Sequence, residues 1–224
     1  RARRRRRVAR TSALTTAVLL AGAGTASAGE YLATRTGQHA TGWHVQAAGA
    51  GEGLDVRGSD HVEVVRELIA DIPYAPGYEH LREAEPVTGS LRDTTPPGEG
   101  GTVISESAAR AQAAQNAVCT WADAWIAADT RGDRAARDTA TAALAGSLAW
   151  PAVRDVDPDP SATGHAGDQG VGTPTRFGWV PALIAATGGG QHQAVLDAVT
   201  GSGRCRPAYT PAMNADPGYA GPGR

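Results

Sequence analysis

Two cysteines, six histidines and a short run of glutamates beside two tyrosines are the side chains of this sequence with chemistry to offer. A cysteine attacks only as a thiolate, which takes a nearby base and a lowered pKa. Cys119 has no histidine near it in sequence. It falls inside AVCTWADAWIAADTRGD (117–133), whose apolar spacing is that of a helix, a poor place for attack. Two thiols in one exported domain ordinarily join. Cys119 and Cys205 are therefore expected as a structural disulfide, with two free thiols as the alternative. The bridge would close a long loop, worth roughly 4–5 kcal/mol on the chain-entropy model.

The histidines are His39, His44, His61, His80, His165 and His192. None belongs to an HExxH pattern, and no Cys/His cluster has zinc-ligand spacing. His39 and His44 frame HATGWH and read as surface residues. Asp155, Asp157 and Asp159 alternate in DVDPDP, but a calcium loop needs glycine sixth and glutamate twelfth, where this chain has Pro160 and Ala166. The glycine-rich GHAGDQGVGTP (164–174) follows no strand, and a chain without lysine has no Walker lysine. No metal and no cofactor is expected. Arg131-Gly132-Asp133 matches an adhesion tripeptide, but a turn between two helices already accounts for its glycine.

Tyr74, Tyr78, Glu79 and Glu83 form the candidate ligand or partner surface. Aromatics beside carboxylates suit a sugar cleft, where one carboxyl donates a proton and another assists attack. The same glutamates, with Glu85, read equally as the wet face of a short helix. No residue is assigned a catalytic role.

These residues hang on helices. Val62, Val65, Leu68, Ile69 and Ile72 share a helical stripe that Ser59 or Asp60 caps and Pro73 stops. A long amphipathic helix runs from about 105 to 130, with Ser105 at its entry and Gly132 at its exit. A second, about 133 to 148, follows so closely that the two lie antiparallel. Two more are expected over 178–187 and 191–200. The fold class is all-α, a small bundle of four or five helices with long irregular loops and no strand pairs, behind an N-terminal signal or anchor helix. The extracytoplasmic helical domain covers 59–206. A Gly/Ala-rich linker covers 30–58, and the Pro/Gly-dense tail 207–224 reads as disordered.

All 21 basic residues are arginine, and seven lie within RARRRRRVAR (1–10). Thr11 to Gly29 is uncharged, with an apolar centre and a small-x-small site at Ala26-Ser27-Ala28. These are the parts of an export signal, and residues 1–29 are expected as a basic leader that is cleaved near Ala28 or kept as a transmembrane anchor. Beyond it, 14 arginines face 23 acids, a net charge of −9. An acidic body is a poor partner for phosphate backbones, so no nucleic acid is expected.

PYAPGYE (73–79), CTWADAWIAAD (119–129), WPAVRDVDP (150–158) and FGWVPAL (177–183) together resemble a group of actinobacterial exported or membrane-anchored helical proteins with no assigned activity. The resemblance covers roughly 60–206 and implies placement at the cell envelope. The expectation is an extracytoplasmic, non-enzymatic binding or sensing domain that meets the membrane through its N-terminal segment and engages an envelope protein partner. The alternative is a cell-envelope hydrolase acting on glycan or peptide.

Overall fold

Ser105 and Gly132 set the ends of the helix on which the other elements pack. The serine hydroxyl accepts from Ala108 N at 3.1 Å, and the glycine adopts φ +69°, the left-handed conformation that closes helices. Between them runs a helix of 26 residues, Glu106–Arg131. The computed structural model describes residues 44–47, 53–56, 58–82, 84, 102–158 and 176–221. The expected leader, most of the linker and Glu83 lie outside the described residues.

In chain order the elements are β1 (His44–Ala47), β2 (Gly53–Asp55), α1 (His61–Leu68), β3 (Thr102–Ser105), α2 (Glu106–Arg131), α3 (Arg134–Ser147), α4 (Pro151–Arg154), α5 (Val180–Gly188), α6 (His192–Ser202), a 3₁₀ turn (Pro207–Tyr209) and α7 (Pro211–Ala215). The described part is mostly helical, as the periodicity indicated. It has seven helices because single turns form at Pro151 and Pro211, where proline suits a first helical position. The stripe over 62–72 ends as helix at Leu68, with Ile69 and Ile72 buried in the turns that follow.

The absence of strand pairs expected from the sequence is corrected by a three-stranded sheet of order β1-β3-β2. Strand β1 runs parallel to β3, pairing His44 with Thr102, and β2 runs antiparallel to it, pairing Gly53 with Ser105. Strands of three and four residues carry too little alternation to stand out from a linker.

Helix α2 is buried on every side from Ala113 to Asp123, so it is a central helix rather than one with a single buried stripe. Alanine at 113, 114, 117 and 122 lets neighbouring backbones approach closely, but each alanine buries little apolar area. Apart from its own Trp125, the large apolar groups come from around it: Phe177, Leu144, Leu183, Leu196 and Met213 are all fully buried. Helix α3 folds back along α2, its first turn capped by Asp133, which accepts from Ala136 N at 3.0 Å.

The tail read as disordered is ordered through 221, with Tyr209, Thr210, Met213 and Tyr219 buried. Proline and glycine here fix turns, and a covalent tie precedes them. Cys119 and Cys205, 86 positions apart, are joined with Cα atoms 5.6 Å from each other, and both are buried. Among the described residues no helix is long and apolar enough to cross a membrane. Replacing Cys205 with serine should lower unfolding stability by about 2–5 kcal/mol, and dithiothreitol should do the same to the unsubstituted chain. Urea titrations of oxidised, reduced and Cys205→Ser protein measure this, and equal midpoints would remove the bridge from the account.

Candidate functional site

Asp123 lies midway along α2 with no exposure, an uncommon place for a carboxylate. Its oxygens leave the helix toward the C-terminal segment. Oδ1 accepts from Met213 N at 2.7 Å, and Oδ2 accepts from Ala212 N at 3.1 Å and from the Tyr78 hydroxyl at 2.5 Å. Ala212 and Met213 are in the first turn of α7, and Thr210, which precedes that helix, gives no side-chain cap. Asp123 thus caps one helix from the side of another. Burial pushes its pKa up against the hydrogen bonds from Tyr78, Met213 and Ala212. Burial, with the Asp123 contact, holds the Tyr78 phenol well above its ordinary range.

The segment around Tyr78 is tied along the same helix. Trp121 Nε1 donates to Pro73 O at 2.7 Å, and Ala75 N donates to the Thr120 hydroxyl at 3.2 Å. At the near end, Arg110 grips Asp71 through both Nη atoms, at 2.9 and 2.7 Å, and donates to Leu68 O.

A second polar cluster sits where α2, α6 and the tail meet. His192 Nδ1 is 2.8 Å from Asp129 Oδ2, and Nε2 is 2.9 Å from Asp216 Oδ2. Carboxylates only accept, so the ring bonds to both when both of its nitrogens carry protons. Burial opposes that charge, but the bonds to Asp129 and Asp216 outweigh it and hold His192 above its ordinary pKa. Asp129 is pushed up by burial and brought below its usual range by Arg137, at 2.8 Å, and by His192. Asp216 is lowered first by Gly218 N, at 2.8 Å, and then by His192. The Trp125 ring lies 6.4 Å from the imidazole. Beside this cluster a shallow cavity of about 200 Å³ is lined by Ala128, Asp129, Gly132, Asp133, Arg134 and Arg137.

Of the four expected surface residues, Tyr74 is buried in the core, Tyr78 is bound to Asp123, and Glu79 is exposed, accepting from Gly77 N at 2.9 Å. Glu83 lies outside the described residues. Gly132 and Asp133 of the adhesion-like tripeptide close one helix and cap the next. Among the described residues no three His, Cys, Asp or Glu side chains are placed to hold a metal ion. Asp123, Asp129, His192 and Asp216 were not singled out as a site from the sequence. The available signal was a charge inside a buried stripe, visible in TWADAW. Protein-family models, curated proteins and solved structures contain no match to this chain.

Tyr78→Phe removes one of three donors to a buried carboxylate and should cost roughly 1–3 kcal/mol. It should also raise the Asp123 pKa further, which carboxyl NMR titration reads directly; an unchanged titration would show that the hydroxyl does not hold Asp123. The His192 clasp gives a pH dependence of known sign. A raised folded-state pKa contributes stability that is full below the unfolded value near 6.5 and is lost as pH rises through the folded value. Urea midpoints should therefore fall as pH rises above about 6.5 in the parent chain, and less so in His192→Gln.

Proposed function

We propose that this chain is an extracytoplasmic, non-enzymatic binding or sensing domain, led across the membrane by residues 1–29 and either anchored there or released near Ala28. The observation that carries the reading is the buried Cys119–Cys205 bridge, which links the central helix to the last folded segment. Disulfides form and persist outside the reducing cytosol. The basic leader with its uncharged run and small-x-small site supports the same compartment. The reading also draws on how the polar side chains are engaged. Tyr78, Asp123 and His192, the groups suited to acid–base chemistry, each join separate segments of the chain. An envelope protein partner fits such a body, held rigid around one helix.

Cell fractionation with thiol labelling tests the placement. The protein should appear in the membrane or secreted fraction with neither thiol alkylated until a reductant is added. A cytosolic pool in which Cys119 and Cys205 both label at once would overturn it.

A further inference from the structure

Arg176 and Arg204 are joined through one side chain of the central helix. The Arg176 guanidinium rests its Nε–Nη2 edge on two amide oxygens of α2, with Nε donating to Gln115 Oε1 at 3.3 Å and Nη2 to Gln112 Oε1 at 2.7 Å. Gln115 Nε2 in turn donates to Arg204 O at 3.1 Å, and Gln112 Nε2 donates to Asn116 Oδ1 at 3.2 Å. Gln115 and Asn116 are buried, and both arginines are half-buried. Among the described residues, the hydrogen bonds on the guanidinium's docked edge are thus to neutral groups, which orient the cation without neutralising it.

Neither guanidinium has a carboxylate partner among the described residues. Asp157 accepts through Oδ2 from Phe177 N at 3.1 Å, beside Arg176 in the chain. Taking a charge out of water is costly unless it is paired, and two like charges beside each other add to that cost. Burial and the Arg204 charge both push Arg176 below its ordinary pKa, a direction that a bound anion would reverse. The Nη1–Nη2 edge of Arg176 has the fork geometry that takes two oxygens of a carboxylate or phosphate at once.

We infer that Arg176, its guanidinium set on Gln112 and Gln115, forms with the neighbouring Arg204 a binding site for the oxyanion group, carboxylate or phosphate, of a small ligand. The inference rests on the binding-domain reading, for which it names a ligand class.

Isothermal titration of the full, oxidised chain with inorganic phosphate and separately with acetate, at ionic strength matched with sodium chloride, tests the site. Saturable binding of at least one anion is expected, weakened tenfold or more in Arg176→Gln and severalfold in Arg204→Gln. Phosphate alone would assign a phosphoryl ligand, and acetate alone a carboxylate. Should Arg176→Gln not fold, Arg204→Gln carries the comparison. Saturable binding of neither anion, or equal binding by parent and variants, would overturn the proposal. The outcome is separable from the compartment: a reduced cytosolic chain that binds phosphate leaves the site standing, and an exported chain that binds neither anion leaves the placement standing.

Discussion

A buried helix rich in alanine brings its neighbours close but gives them little apolar surface to hold. That constraint shapes this domain, because α2 is its centre and is covered on every side from Ala113 to Asp123. Alanine burial removes far less area from water than leucine or phenylalanine burial, so contact alone leaves the surrounding segments weakly fixed. What fixes them is a series of directional ties leaving α2 turn by turn: Gln115 to Arg204, Cys119 to Cys205, Thr120 and Trp121 to the turn at 73–75, and Asp123 to Tyr78 and α7. Cys119 and Asp123 are four residues apart, hence on one face, and both grip the same C-terminal segment.

The identity of residue 123 follows from what it holds. Helix α7 has five residues and opens with Pro211, so its first amide hydrogens need an acceptor from elsewhere. An apolar residue at 123 would fill the space and leave Ala212 N, Met213 N and the Tyr78 hydroxyl without a partner. A buried donor left unpaired costs more than a satisfied one gains. The carboxylate is therefore favoured locally despite its burial, and it fixes the position of α7 and the tyrosine turn together.

The helices and the cysteine pairing were legible in the sequence because each rests on a short-range signal. Ser105 and Gly132 bracket an uninterrupted period, and two thiols in one domain admit one pairing. The sheet was not legible, since β1 and β3 bring together residues as far apart as His44 and Thr102 over four residues each. Composition misled at the tail: proline and glycine usually mark an unfolded end, but here the segment begins at a disulfide and is capped by Asp123. Tyr74 and Tyr78 drew notice as an aromatic turn, and the structure turns the first inward and binds the second to α2. His192 gave no signal, because its two partners are 63 and 24 positions away.

Two electrostatic arrangements of arginine occur among the described residues, and the difference bears on where a ligand would go. Arg110 is paired at both Nη atoms with Asp71, and Arg137 through Nη1 with Asp129, so those charges are neutralised where they sit. Arg176 is also held at two nitrogens, but by amide oxygens. In a body with a surplus of acids, setting a cation among glutamines preserves its charge at a fixed position, where an aspartate would cancel it. Amides orient a guanidinium at lower electrostatic strength than carboxylates do, which leaves most of its attraction available to an incoming anion. The same helix supplies amides near its beginning and carboxylates toward its end, and Gln115 serves both purposes, tying Arg204 O to the fold and orienting the Arg176 charge.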